Sequence, residues 1–200
     1  MTSNVSRETM DRLDIFRDLI KRWNPSINLV AQSTIPELNA RHIDDCLQFS
    51  KHVSPKSGIW ADLGSGGGLP GIVLATVFSD HPIQFRLIES DQRKAAFLRT
   101  VIRELKLDNT QVDNIRIEEA DPLNAAYLSA RALAPLPRLM AYLDRHLAEF
   151  GQAWIMKGEN WREEVEAARR KWNFNVLPIP SISRPGAAIL KISEVTDAEQ

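Results

Sequence analysis

The run Asp62-Leu63-Gly64-Ser65-Gly66-Gly67-Gly68-Leu69-Pro70-Gly71 holds the residue types most able to receive a ligand. Glycine permits sharp turns and lets backbone approach a bound molecule closely. An apolar run, Ile59 to Leu63, precedes it, and a helix-compatible run follows, with Pro70 suited to a first helical turn. A glycine turn between strand and helix stands at the carboxyl end of the strand, where open α/β sheets bind nucleotide-like ligands. Glu89 closes the next apolar run, where a carboxylate can accept both hydroxyls of a ribose. Ile117-Glu118 closes the third, offering an apolar flank and a polar edge to an adenine.

Two cofactor classes compete for this turn. Gly66-x-Gly68-x-x-Gly71 satisfies the dinucleotide fingerprint of a nicotinamide-linked oxidoreductase, but in a frame that opens two residues after the turn begins at Gly64. The pattern acidic-x-Gly-x-Gly-x-Gly, from Asp62 through Gly64 and Gly66 to Gly68, fits better and resembles the first motif of S-adenosylmethionine-dependent methyltransferases. Asp62 and Glu89 together suit a cationic sulfonium ligand. No Walker lysine follows the glycines, which excludes a nucleoside-triphosphatase loop.

Two acceptor chemistries lack their apparatus in this sequence. Adenine amino-group methylation resembles a family with an Asn/Asp-Pro-Pro-aromatic motif, which neither Asn24-Pro25-Ser26-Ile27 nor Asp121-Pro122-Leu123-Asn124 matches. Carbon-5 methylation of pyrimidines requires a thiolate nucleophile, and the single cysteine, Cys46, follows Asp45 in a helical stretch. A ring nitrogen with an in-plane lone pair, such as guanine N7, needs neither nucleophile nor base. Positioning and electrostatics are then sufficient.

The elements that position these residues are legible from periodicity. Leu13, Phe16, Ile20 and Trp23 recur at helical steps between charged residues, and Pro25 is expected to end that helix. Thr34 with Glu37 has capping-box spacing for a second helix along Leu38, Ile43 and Leu47. From Gly58 onward, strands at Ile59–Leu63, Gln84–Glu89, Gln111–Ile117, Tyr127–Ala132 and Ala153–Lys157 alternate with helices near Pro70–Phe78, Asp91–Lys106, Leu136–Phe150 and Trp161–Lys171. Phe174–Ile182 and Ala187–Ile192 are joined by Ser183-Arg184-Pro185-Gly186 and must form an antiparallel pair. The expectation is an α/β fold: a doubly wound, mainly parallel seven-stranded sheet of the methyltransferase (Rossmann-like) type. Residues 1–57 would be a helical extension packed on the core, 58–193 the methyltransferase domain and 194–200 a polar tail, within one structural domain.

Composition sets the outer limits. The 200 residues are 44% hydrophobic and 26% charged, suited to one globular core, and no apolar run reaches the ~20 residues of a membrane helix. The beginning of the chain lacks the apolar region of a secretory signal, so a cytoplasmic location is expected. One cysteine permits no internal disulfide, no metal-ligand spacing is present, and Cys46 reads as a small buried hydrophobe. With 25 Lys and Arg against 26 Asp and Glu, bulk attraction to nucleic acid is absent, so any such contact must use a local patch.

A set of motifs makes the resemblance specific. Trp23-Asn24-x-x-x-Asn28-Leu29, Arg41-His42-x-x-Asp45, Asp62 to Gly71, Arg93-Lys94-x-x-Phe97-Leu98-Arg99, Arg131-Ala132 and Lys157-Gly158 occur in the order and spacing of one family. By these motifs residues 6 to 190 resemble ribosomal small-subunit methyltransferase G, also called the glucose-inhibited division protein B family. Two departures, Asn28-Leu29-Val30 for the family's Asn-Leu-Thr and Asp45-Cys46 for its Asp-Ser, bear on hydrogen-bond detail.

The resemblance implies methyl transfer from S-adenosylmethionine to N7 of a guanosine in the 530 loop of 16S rRNA. The substrate would be that RNA or the assembling small subunit; no membrane partner is expected, and the sequence leaves the oligomeric state open, with a monomer the favoured expectation. It implies cofactor contacts at Gly64, Leu69, Ile117, Glu118 and Arg131, to which the glycine-turn reading adds Asp62, Ser65, Gly66, Gly68 and Glu89. Arg131 would also lie beside the target base as a positioning or electrostatic catalytic group. For RNA, Arg41, Lys94 and Lys157 are the chosen cations and His42 an orienting residue; Arg93, Arg99, Arg103 and Lys106 equally suit a solvated helix face. Trp161 opens a helix near Lys157 and is placed to meet RNA, whereas Trp23 and Trp60 belong to the core. Two other classes stay open: the NAD-dependent oxidoreductase, and a non-catalytic RNA-binding protein.

Overall fold

The computed structural model describes residues 5–198. Helix α1 (Arg7–Ile27) begins at Ser6, whose hydroxyl accepts the Thr9 N–H, and buries Leu13, Phe16, Leu19 and Ile20. Pro25 does not end it. The proline lies in the last turn on a solvent-facing side, where only the exposed Lys21 carbonyl loses a partner, and the helix stops three residues later at Asn28, whose φ is +49°. Buried Asn24 turns the chain back: its Oδ1 accepts the N–H groups of Leu29 and Val30, each at 2.8 Å.

The segment that follows departs from the expected regular helix. It comprises a 3-10 stretch (Gln32–Glu37), a widened π turn (Asn39–Ile43), one α-turn (α2, Asp44–Leu47) and a second 3-10 stretch (Gln48–Lys51). Thr34 is not an N-cap. Its hydroxyl bonds back to the Ala31 carbonyl at 2.7 Å, a side-chain alternative to capping.

The remaining elements are β1 (Gly58–Leu63), α3 (Gly71–Val77), β2 (Ile83–Ile88), α4 (Gln92–Leu105), β3 (Thr110–Asp113), β4 (Ala125–Arg131), α5 (Leu136–His146), β5 (Leu147–Lys157), α6 (Trp161–Ala168), β6 (Trp172–Pro180) and β7 (Ala188–Asp197). One seven-stranded sheet has the order β3-β2-β1-β4-β5-β7-β6. The first five strands are mutually parallel, and β7 runs antiparallel between β5 and β6. The sheet is thus doubly wound and closed by the expected hairpin.

Several boundaries differ from the sequence reading. Strand β3 stops at Asp113, leaving Ile117 and Glu118 in a turn beyond it. Helix α5 stops at His146, because Leu147 pairs with Ala125 across a bulge and β5 absorbs the residues up to Phe150. The expected tail is partly strand: Ser193, Thr196 and Asp197 pair with β6, so the sheet extends past residue 193.

Alternation along the strands divides the core into two layers. Trp60, Phe85, Trp154 and Met156 face α1, α3, α4 and the irregular N-terminal segment, while Leu63, Leu128, Ile155 and Leu190 face α5 and α6. Trp60 stacks on Phe78, Phe85 and Tyr127 at centroid distances of 5.2–6.0 Å, and Phe49 meets Trp154 at 6.3 Å. The N-terminal segment therefore shares a continuous core with the sheet. No helix among the described residues is long and apolar enough to cross a membrane.

Candidate active site

The chain leaves β1 toward β2 on one side, whereas β4 and β5 lie on the other, so the connections diverge above the carboxyl ends of β1 and β4. Divergence at that point opens a crevice in a doubly wound sheet. Gly64, Glu89, Ala132 and Gly158 follow the strands that end there.

The glycine turn is held from below. Asp62 is 1% exposed; its Oδ1 accepts the Ser129 hydroxyl at 2.6 Å, and that hydroxyl accepts the Trp60 indole N–H at 3.0 Å. Burial pushes the Asp62 carboxyl up to about 6. Ser65 donates its hydroxyl to the Asp62 carbonyl and its N–H to Ile88. Gly64 adopts φ +64°, and a Cβ there would meet Leu133 Cδ1 at 2.6 Å. At Gly68, with φ +81°, a Cβ would come within 2.6 Å of Ile72. Both positions favour glycine for conformation, and Gly68 also for space against Ile72.

Above the turn lies a cavity of about 330 Å³ whose wall includes Gly64, Gly66, Glu89, Ile117, Glu118 and Ala132. Glu89 is buried, and each carboxylate oxygen accepts one backbone N–H at 2.8 Å, from Gly66 and Asp91. A carboxylate oxygen has capacity for a second donor, so Glu89 retains acceptors for a diol. The turn carrying Ile117 and Glu118 is fastened to α5. The His146 ring holds the Ile117 carbonyl at 3.0 Å, and the Tyr142 hydroxyl donates to Glu118 at 3.0 Å. That bond, after the backbone N–H of Glu118 itself, holds the Glu118 carboxyl below its usual range. Tyr142 and His146 are polar residues four apart on the apolar face of α5, a spacing that could have marked them.

A second cavity, of about 530 Å³, adjoins the first through Ala132, which lines both. Arg131 faces this one, beside the nucleoside-sized cavity rather than within it. Its guanidinium lies 2.9 Å from His42 Nδ1, and His42 Nε2 lies 2.8 Å from the Thr34 hydroxyl. Burial, then the Arg131 charge, lowers the His42 pKa to about 4, so the ring is neutral near pH 7. The same cavity is lined by Arg41, Asp45, Lys157 and Arg184. Asp45 and Arg184 were not among the residues chosen from sequence.

Several predicted residues take other places. Asp62, Ser65, Gly68 and Leu69 line neither cavity: Asp62, in β1, and the turn residues Ser65, Gly68 and Leu69 are buried and support the glycine turn from the core side. Lys157 is no free phosphate contact: its ammonium pairs with Glu164 at 2.7 Å and donates to the Ala134 carbonyl at 2.6 Å, with the side chain 9% exposed. Lys94 lies at the nucleoside-sized cavity, in the first turn of α4. Arg41 is exposed at the second cavity, with a loose 3.5 Å contact to Glu37. Arg93, Arg99 and Arg103 lie on the exposed face of α4 and line neither cavity. Trp161 packs partly against the second core layer under Arg162, whose guanidinium is 4.4 Å from its ring. Cys46 is fully buried and its thiol is pushed up to about 12 by burial, which removes it as a thiolate nucleophile.

A glycine turn without room for a Cβ, a diol-ready carboxylate and an apolar flank together fit the adenosine part of S-adenosylmethionine. A family model described as rRNA small subunit methyltransferase G matches residues 9–188. A protein named Ribosomal RNA small subunit methyltransferase G from Paracoccus denitrificans (strain Pd 1222) is 52% identical over 195 residues, covering 98% of this chain and 100% of the relative. One of the same name from Ruegeria sp. (strain TM1040) is 48% identical, covering 96% and 94%. A solved SAM dependent methyltransferase from Aquifex aeolicus aligns at TM-score 0.60 and 13% identity, covering 78% of this chain and 93% of that one, which shows a shared fold.

Proposed function

The chain belongs to the rRNA small subunit methyltransferase G family, and from that premise we propose that it transfers a methyl group from S-adenosylmethionine to N7 of a guanosine in 16S rRNA. The observation that carries this reading is the pair of cavities meeting at Ala132, one suited to a nucleoside cofactor and the other lined by cationic side chains. Membership of this family leaves the oxidoreductase alternative without support.

The bound cofactor supplies a sulfonium methyl, electrophilic without further activation. Gly64, Gly66, Glu89, Ile117 and Glu118 would hold it, with Asp62 and Ser65 fixing the turn beneath. Guanine N7 attacks with a lone pair already in the ring plane, so no residue removes a proton before the methyl carbon is reached. What the protein contributes is orientation, an effect worth up to ~7 to 11 kcal/mol when reacting atoms are aligned. Arg131 is placed for this. It is always charged, it donates in a rigid plane, and neutral His42 fixes its direction toward the acceptor cavity. A guanidinium there can donate to guanine O6 and leave N7 free. Arg41 and Arg184 offer contacts to phosphates at the mouth.

The test is incubation with methyl-labelled S-adenosylmethionine and small subunits lacking the modification, with naked rRNA alongside, followed by identification of the labelled nucleoside. Label in 7-methylguanosine at one position is expected. Label in another nucleoside, or none despite cofactor binding, would refute the reading.

A further inference from the structure

The acceptor cavity contains one charged group that the reaction above leaves unused. Asp45 lines it with Arg131 and His42, is 5% exposed, and forms no ion pair with any described residue. Its Oδ1 accepts the hydroxyls of Ser181 and Ser183 at 2.8 and 2.6 Å, whereas its Oδ2 accepts nothing from the described residues. A carboxylate oxygen at a cavity wall with no donor from the described residues is available to a bound group. A clasp between the N-terminal segment and the β6–β7 turn does not require a charged group, because Gln48 already supplies a neutral one. Its amide donates to the Pro180 carbonyl at 2.7 Å and accepts the Ile182 N–H at 3.0 Å. The open oxygen of Asp45 is therefore free to accept a donor from a molecule bound in the cavity.

A guanine presenting N7 to the cofactor carries acceptors, N7 and O6, on one edge and hydrogen-bond donors, N1–H and the 2-amino group, on the other. The cations of the cavity can meet O6, but only an acceptor can meet the donors. The charge of the cavity's other carboxylate, Glu164, is neutralised by the Lys157 ammonium, which shares its Oε2 with the Leu136 N–H, whereas Asp45 has no ion pair among the described residues. We infer that Asp45 reads the acceptor base: its Oδ2 accepts a hydrogen bond from the guanine 2-amino group while Arg131 faces O6. This inference rests on the methyl-transfer reading above. Adenine has no 2-amino group to offer, so the contact selects guanine. Methylation at N7 also leaves a positive charge on the ring, and a fixed carboxylate beside it favours the charge as it develops.

Guanosine and inosine differ only in the 2-amino group, so each is placed at the acceptor position of otherwise identical reconstituted small subunits. Wild-type protein should favour guanosine in kcat/KM by roughly tenfold or more, the size of one hydrogen bond to a charged group. Asp45→Asn can keep its oxygen on the two serines but presents N–H to the cavity. It should retain affinity for S-adenosylhomocysteine and lose the guanosine preference to within about twofold. A wild-type ratio near one overturns the assignment without reference to any variant, and so does a preference that survives Asp45→Asn. Absence of transfer to either substrate by the wild type would instead overturn the methyl-transfer reading and this inference with it.

Discussion

The Arg131 guanidinium donates to His42 Nδ1 across 2.9 Å, and this one bond dictates the tautomer of the imidazole. Arginine has no acceptor, so Nδ1 must carry the lone pair and Nε2 the proton. That proton goes to the Thr34 hydroxyl at 2.8 Å, and the hydroxyl proton to the Ala31 carbonyl at 2.7 Å. A polar chain anchored in the N-terminal segment thereby aims a residue at the end of β4.

His42 should consequently titrate near pH 4 by NMR. Arg131→Ala should move that midpoint up, since the guanidinium charge is the largest cause of the lowering after burial. The sign for stability follows: above pH 6.5 folded and unfolded states are both neutral at this site and its contribution is complete. As pH falls from 6.5 toward 4 the unfolded chain takes a proton that the fold refuses, and stability declines. Urea denaturation of His42→Leu should lack that decline, and its methyl transfer should fall by roughly tenfold as Arg131 loses its support.

Asp62 predicts the opposite slope in the same pH range. Its carboxyl is raised to about 6 in the fold from an ordinary 3.8, so folding favours the protonated form. The stability it confers is complete below pH 3.8 and is lost as pH rises to about 6. Asp62→Asn should flatten this part of the profile when denaturation is measured from pH 4 to 7.

Gly64→Ala tests the cofactor turn. The new Cβ would lie 2.6 Å from Leu133 Cδ1 at φ +64°, a left-handed conformation costing a side-chain residue roughly 1–2 kcal/mol before the clash is counted. Calorimetry should show S-adenosylhomocysteine affinity reduced at least about tenfold, with a lower melting temperature. Unchanged affinity would remove Gly64 from the cofactor site.

Lys157 and Arg184 separate a structural cation from an RNA-facing one. Lys157→Met leaves Glu164 with only the Leu136 N–H and should cost about 1–3 kcal/mol of stability. It should leave the salt dependence of RNA binding unchanged. Arg184→Ala should reduce the slope of log affinity against log salt by about one, with little effect on melting. Equal slopes in the two variants would contradict this division.

The local part of this protein was legible in its sequence because it depends on neighbours in the chain. Periodicity placed the β1 to α4 units within a residue or two, and glycine spacing placed Gly64 and Gly66 at a ligand cavity. The hairpin that closes the sheet followed from two apolar runs with no helix between them. Boundaries failed where a distant strand decided them: Leu147 left its helix to pair with Ala125, and Asp197 joined the sheet opposite Trp172.

The geometry of the acceptor site was decided by tertiary structure. His42 and Arg131 are 89 residues apart, and Asp45 and Ser183 are 138. Motif resemblance singled out His42 and Arg131 in the sequence, but their pairing, and that of Asp45 with Ser183, comes from partners brought by other elements. Lys157 shows the same point in reverse: a cation at a strand end, well placed by topology, is neutralised by a helix that packs Glu164 against it. Chain-local spacing determined the sheet and its glycine turn, whereas which charges stay open to a substrate was settled only when the N-terminal segment, β4 and the β6–β7 turn closed around one cavity.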